Sequence, residues 1–347
     1  MVDTFSETLS EQAAADIAAE VISRPGRGPW ATAFRRLRRD RAAMVALGVL
    51  VLILVACALA PLYAHLAGTD PFRPNLDGSI TLNGQSVDVM QPSTTGLGLG
   101  VTPIGPTWTL HYLLGADSQG RDVAARLLYG GQTSLFIAGM ATVICLVLAT
   151  LVGVVAGFFG GWVDTVLSRI LDVLWAFPIY LLAISLSIVL LNTTLHIGPI
   201  ALTSDSLALP IAIVGVIYIP YVARPIRGQV LTLRHSEFVL AAVGLGIPAW
   251  RILWRDILPN VTTTLIVFVP ILMALNIVTE SALSFLAIGV QPPNASWGTI
   301  IGDGEALLYT RPMVALAPGL AIVLTVLALN VLGDGVRDAL DPRTKIR

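Results

Sequence analysis

"HSEFVLAAVGLGIPAWRILWRDILPN", residues 235–260, stands between two long apolar runs and carries two glycines, two prolines and four charged side chains. Ser236 predicts the cap of a short helix through Glu237, Phe238, Val239, Leu240, Ala241 and Ala242, and Gly244 and Gly246 then permit a close backbone turn. A second short helix is predicted from about Pro248 to Arg255. Two short helices with small residues at the bend form a compact knob and not a spanning segment. An apolar face beside a basic flank suits the docking of a soluble partner.

The runs on either side set the class of protein. Of the 347 residues, 55% are hydrophobic and 12% charged, where a soluble domain has roughly a quarter charged. A helix crosses a bilayer with about 20 predominantly apolar residues. Six segments qualify, at 43–66, 133–158, 167–192, 207–223, 262–289 and 313–333. With a cytoplasmic N-terminus, all but four of the 21 Lys and Arg (Arg73, Arg121, Arg126 and Arg311) fall inside, so both termini are read as cytoplasmic. The first 30 residues hold Asp3, Glu7, Glu11, Asp16 and Glu20 and lack the basic and apolar regions of a secretory signal. The run Arg35-Arg36-Leu37-Arg38-Arg39-Asp40-Arg41 reads as a topology anchor near anionic head groups.

Several chemistries are not indicated. Cys57 and Cys145 lie within expected spans, so no disulfide framework is suggested. His65, His111, His196 and His235 lack metal-ligand spacing. No GxxxxGK[ST] loop occurs, so ATP is not bound and hydrolysed by that route on this chain. Nothing points to nucleic acid.

The segment 67–131 is expected outside the cytoplasm, with Asn83-Gly84 turning a β-hairpin between 79–82 and 85–89. It is either decoration or a contact for an extracytoplasmic partner. At its end, Asp117 or Ser118 is expected to cap an interfacial helix with Val123, Leu127 and Leu128 on its apolar side. Arg121, Asp122 and Arg126 are expected to face water or head groups; a gate pair is the alternative. Trp175-Ala176-Phe177-Pro178 predicts a kink in the third span, after an i,i+3 pair of Arg169 and Asp172.

The fifth span carries Asn276, Thr279, Glu280, Ser281 and Ser284. A carboxyl at that depth must face the protein interior or a wet cavity. Asn276, Glu280 and Ser284 are therefore candidates for a translocation path or for helix packing, and Glu280 is open to binding a cation, relaying a proton or joining helices. Asn330 is expected at a helix–helix contact.

"AAVGLGIPAWRILWRDILPN", residues 241–260, resembles the cytoplasmic loop of ATP-binding-cassette (ABC) importer permeases: Glu-Ala-Ala, three residues, Gly, nine residues, Ile, any residue, Leu-Pro. Ala241, Ala242, Gly246, Leu258 and Pro259 match; Leu240 stands at the usual Glu and Asp256 at the usual Ile. "LLGADSQGRDVAARLLYGGQTS" (113–134), "DTVLSRILDVLWAFP" (164–178), "ESALSFLAIGVQPPNASWGTII" (280–301) and "APGLAIVLTVLALNVLGDGVRDALDPR" (317–343) resemble the second, C-type permease subunit of the peptide/nickel importers.

The resemblance implies an all-α integral membrane protein with six transmembrane helices, the type I ABC importer permease fold and a small extracytoplasmic loop domain holding the hairpin. Its parts are a cytoplasmic segment 1–42, a first span 43–66, an extracytoplasmic loop and interfacial helix 67–131, a permease core 132–333 with a coupling loop 224–260, and a cytoplasmic tail 334–347. It implies a multi-pass protein of a bacterial or archaeal cytoplasmic membrane, paired with a second homologous permease subunit in the lipid bilayer. Two cytoplasmic ATPase subunits, or a fused pair, would bind ATP and Mg, and an extracytoplasmic substrate-binding protein would deliver peptides. This chain itself would bind no cofactor or metal and catalyse no reaction. The coupling loop would act through Glu237, Phe238, Leu240, Ala241, Ala242, Gly244, Gly246, Arg251 and Pro259. With no acid at 240, either Glu237 or packing by Leu240 would replace the usual contact; alternatively, Glu237 merely favours the helix N-terminus. Two other functions are weighed: import of nickel-chelates, glutathione or another small solute by the same machine, and an ion-coupled secondary carrier with Glu280 as its proton site.

Overall fold

The structure is a computed structural model and describes residues 29–341 except 83, 94–99, 192–194, 198–199 and 203–205, with side chains left out at 29 and 191–205. An amphipathic helix α1 (Pro29–Arg39) leads into α2 (Arg41–Ala58), whose N-terminus is capped by Asp40 Oδ1 accepting from the amides of Ala42 and Ala43 at 2.9 and 3.2 Å. Pro61 starts the short α3 (Ala60–Ala67), so the expected first span is divided between two helices. Strands β1 (Ser79–Leu82) and β2 (Gln85–Asp88) pair antiparallel, as the Asn-Gly dipeptide predicts; Gly84 takes φ +83°, and Asn83 lies outside the described residues. A second hairpin, β3 (Met90–Pro92) with β4 (Val101–Pro103), was not anticipated.

Helix α4 (Val123–Phe159) has 37 residues. At 1.5 Å per residue it runs about 55 Å, well beyond the roughly 30 Å of hydrocarbon. The expected interfacial helix is therefore not a separate element: it forms the first turns of α4, capped by Asp122 and not by Asp117 or Ser118. Next come α5 (Gly161–Ala176) and α6 (Ile179–Leu191), bent 92° apart where Phe177-Pro178 breaks the helix, a sharper turn than the expected kink. A short unanticipated pair, β5 (Leu195–Ile197) and β6 (Ile200–Leu202), follows.

Helices α7 (Ala208–Ile217) and α8 (Ile219–Arg234) meet at 44°, with Pro220 in the first turn of α8. Because α8 continues to Arg234, residues 224–234 are helical and the loop proper begins at His235. Helix α9 (Glu237–Gly244) precedes α10 (Ala249–Ile252), a π-helical turn Leu253–Ile257 and α11 (Leu258–Phe285). Helix α12 (Trp297–Gly304) and α13 (Met313–Leu340) complete the order. Among the described residues, four helices are long and apolar enough to cross a membrane, or up to six spans if each bent pair counts as one.

The densest packing joins α4 to α8 around Ala149, Ala223 and Val230. It depends on Gly153 and Gly157. A β-carbon at Gly153 would sit 2.8 Å from Ala223 O, and one at Gly157 would sit 2.8 Å from Val230 Cβ. Small residues spaced four apart let helix backbones approach closely in a membrane. Helix α8 is also tied to α5 by Arg224 to Asp172 at 2.9 Å and by Arg227 to Asp164, while the expected Arg169–Asp172 pair is long, at 3.7 Å, and exposed.

The two ends of this bundle differ. One carries α1, the α8–α9 turn and the end of α13, and is called the basic face below. The other carries both hairpins, the start of α4, α12 and the start of α13, and is called the hairpin face.

Candidate functional site

The segment 235–260 forms a surface on the basic face. Ser236 occupies the N-cap position of α9, but its hydroxyl donates to Leu233 O and makes no capping bond, which corrects the expected side-chain cap. Glu237 is the first-turn acid, suited to the positive end of the helix dipole. Of the eight residues of α9, only Val239 and Ala242 are buried. A helix this short gains little from its own hydrogen bonds, and two buried side chains add little packing.

Gly246 closes the helix with φ +73°, a conformation that favours glycine. A β-carbon at Gly244 or Gly246 would meet nothing within 4 Å, so within this subunit neither glycine serves a close approach. The turn needs only the backbone freedom of Gly246.

The expected second short helix is corrected. Residues 249–285 form one continuous helix of 37 residues, so α10 is the tip of α11. Pro259 accounts for the π turn between them. It lacks an N–H and its ring crowds the carbonyl four residues back, and the helix widens so that Leu258 N–H bonds Leu253 O. Asn260 Nδ2 donates to Asp256 O at 2.6 Å, and Gln229 Nε2 donates to Asn260 O at 3.0 Å, locking this junction to α8. Ile252 and Ile257 are buried beneath it.

What remains outside is large and apolar. Phe238, Leu240, Val243, Leu245, Trp250 and Trp254 are exposed, Leu245 by 80% and Trp254 by 69%. Glu237, Ala241, Arg251 and Pro259 are exposed among them, and Arg251 lies over the Trp250 ring at 5.5 Å. The coupling-loop residues expected from sequence are thus brought together on one short segment, with Ala242 turned inward. Large apolar side chains are thus gathered in the open beside charged ones.

Asn276, Glu280 and Ser284 lie elsewhere, buried where α11 faces α4 and α12. Asn276 Nδ2 donates to Thr142 Oγ1 at 2.9 Å. Glu280 accepts from Ser284 at 2.7 Å and Ser281 at 3.4 Å. Ser284 Oγ in turn accepts from Val290 N–H at 3.0 Å. The geometry is that of polar side chains joining helices. Asn330, expected at such a contact, is exposed on α13.

The hairpin face holds a group that sequence reasoning placed wrongly. Arg121 and Arg126 do not face water: they are 7% and 3% exposed and close a ring with two aspartates. Asp117 Oδ2 accepts from Arg121 Nε at 2.7 Å and Arg126 Nη1 at 3.0 Å; Asp303 Oδ2 accepts from Arg121 Nη2 at 2.9 Å and Arg126 Nη2 at 2.8 Å. The ring fastens the loop before α4 to α12. Asp122, also buried, accepts from Thr69 at 3.2 Å and Tyr63 at 3.4 Å. Burial pushes the carboxyl pKa of Asp122 and of Asp303 above its ordinary value.

Broken apolar helices around a bundle core, with an exposed apolar segment at one end, define a helical membrane protein. Residues 149–346 match the family model of the binding-protein-dependent transport system inner membrane component, and residues 28–83 match the N-terminal TM domain of oligopeptide transport permease C. The chain is 35% identical to the glutathione transport system permease protein GsiD of Pectobacterium atrosepticum, covering 92% of this chain and 93% of that protein. It is 36% identical to a putative peptide transport system permease protein of Brucella suis (92% and 94% covered) and 32% identical to the dipeptide transport system permease protein DppC of Alkalihalophilus pseudofirmus (91% of each). A chain of the inward-facing MetNI methionine ABC transporter shares its fold at TM-score 0.50 and 18% identity, over 62% of this chain and 96% of that one.

The chain belongs to the family of binding-protein-dependent transport system inner membrane components. It is an integral membrane permease subunit of an ABC importer, with the type I fold, and is not an enzyme: ATP hydrolysis lies on separate subunits. An ion-coupled carrier centred on Glu280 is set aside by this membership.

Proposed function

We propose that this subunit imports peptides as one half of a permease heterodimer, with its basic face in the cytoplasm and its hairpin face outside. Each permease docks one ATPase, and ATP and Mg bind those partners while this chain binds no cofactor. The single observation that carries the reading is the exposed apolar segment from Phe238 to Trp254, whose second half continues into α11. A displacement applied at Trp250 or Trp254 would pass along α11 without an intervening loop. The hydrogen bonds at Asn260 would move α8 with it.

In the family-like loop the acid stands at 240; here that position is Leu240, exposed by 56%. Glu237 is one helical turn earlier, also exposed. Glu237 or the Leu240 side chain supplies the contact that the usual acid would make. The peptide reading follows the names of the Brucella and Alkalihalophilus relatives. Glutathione, itself a tripeptide, is the second reading, favoured by the Pectobacterium relative.

Proteoliposomes containing the assembled transporter test both. Uptake of labelled dipeptide or glutathione that requires ATP and the binding protein supports the proposal and selects between the substrates; uptake of neither would overturn it. Glu237→Ala and Leu240→Ala, assayed for substrate-stimulated ATP hydrolysis, assign the missing acid's role: if neither change alters coupling or assembly, neither residue makes the contact.

A further inference from the structure

The basic run 35–41, read from sequence as a topology anchor, borders, through Arg36, a crevice at the basic face. Between α2, α11 and α13 lies an apolar groove of about 360 Å³, floored by Leu135 of α4, within the usual size range of a ligand pocket. Its one hydroxyl residue, Thr325, turns Oγ1 back to Ala321 O at 2.7 Å, so the groove offers hydrocarbon only. Along α13 it extends from Thr325 to Val336, roughly 16 Å at the helical rise. That is about half of the ~30 Å hydrocarbon thickness, the depth of one leaflet, and it lies in the half nearer the basic face.

One turn further toward that face, a second pocket of about 500 Å³, with a mixed polar and apolar lining, opens between α11 and α13. Thr263 and Leu340 line it, following Ile266 and Val336 of the groove, and α1 covers it with Trp30, Thr32 and Arg36. Arg36 Nη1 donates to Asp341 O at 3.0 Å, whereas its buried Nε has no hydrogen-bond partner among the described residues. Arg35, Arg38 and Arg39 stand exposed on the same helix. The nearest acid in sequence, Asp40, already accepts two amides through Oδ1.

We propose that these two pockets form one site for an anionic phospholipid of the leaflet on the basic face. One acyl chain lies in the groove, and the phosphate sits in the second pocket beside Arg36. Hydrocarbon of one-leaflet length ending beside a guanidinium with one unpartnered N–H is the chemistry of such a lipid, since basic pockets between spanning helices hold anionic head groups. The bound lipid would brace α1 against the α11 end that carries the docking segment.

The test is native mass spectrometry of the full-length chain, purified with the subunits that accompany it. The protein is reconstituted in vesicles of equal parts phosphatidylglycerol and phosphatidylcholine. The expected result is selective retention of phosphatidylglycerol, reduced about five-fold by Arg36→Gln, in line with one lost cation near the surface, and kept by Arg36→Lys. Val51→Trp, at an exposed position on the groove wall, should expel both lipids without altering Tm. It carries the test alone if Arg36→Gln fails to accumulate. Equal retention of the two lipids by the wild type, or retention unchanged in Val51→Trp, overturns the proposal. So does a photo-crosslinker at position 47 that attaches to polypeptide, which would give the groove to residues 1–28 or to a partner chain.

Discussion

The hairpin face and the basic face of this subunit invert the usual association of charge with surface. On the hairpin face, Arg121, Arg126 and Asp117 are buried in a closed ring with Asp303. On the basic face, Trp250, Trp254 and Leu245 are exposed. The difference lies in what completes each region. The ring finds all its partners within the chain, so its charges can leave water. The α9–α10 segment and the π turn after it bury only Val239, Ala242, Ile252 and Ile257 within the chain and leave the larger apolar side chains exposed.

Breaking the ring should give the largest effect. Arg126→Leu removes one hydrogen bond from each of Asp117 and Asp303 and leaves the two carboxylates sharing Arg121 alone, at a cost of about 3 kcal/mol. The expected outcome is a strong loss of folded subunit in detergent, measured by thermal unfolding monitored on a sizing column; a Tm within a degree of wild type would show that the ring does not hold this face together.

The opposite outcome is expected on the basic face. Trp254→Ala should leave Tm unchanged, because the side chain packs on little within the subunit. A buried interface aromatic contributes about 2 kcal/mol or more, so affinity for the partner ATPase should fall roughly 30-fold, read by titration of the ATPase against the reconstituted permease. A Tm loss without an affinity loss would make the segment a piece of core. Gly157→Val, between α4 and α8, should cost about 1–3 kcal/mol through overpacking and lower Tm in a way that no partner restores.

The smallest effect is one of pH. Asp122 and Asp303 have pKa values raised above the ordinary 3.8, so the folded state holds their protons more tightly than the unfolded chain does. Linkage then makes stability fall as pH rises through the raised values and recover below them. Asp122→Asn should flatten part of that slope, measured as Tm against pH, whereas no such slope is expected from substitutions at Trp250 or Trp254.

Much of the fold was legible in the sequence because hydrocarbon imposes length and composition directly. The four long apolar helices, the break at Phe177-Pro178 and the Asn-Gly hairpin follow from rules that act within a few residues. The segment 235–260 was legible for the same reason: Gly246 and Pro259 mark a turn and a helix start locally. The ring was not. Nothing near Arg121 or Arg126 announces Asp303, 177 residues beyond Arg126, and without that partner an arginine is rightly expected in water. The continuity of α10 with α11 was missed because Pro259 normally ends a helix; a π turn absorbed it instead.

The sequence by itself determined that this is a membrane protein, which face is basic, and which segment interrupts the apolar runs with two short turns, since these depend on composition, charge distribution and local backbone preference. Only the tertiary structure decided which charges are buried, that Glu280 is enclosed by serine hydroxyls, and that the groove and Arg36 lie in line. Each of those depends on groups far apart in the chain meeting within a few ångströms, and burial of a polar group is set by the partners it meets and not by its own identity.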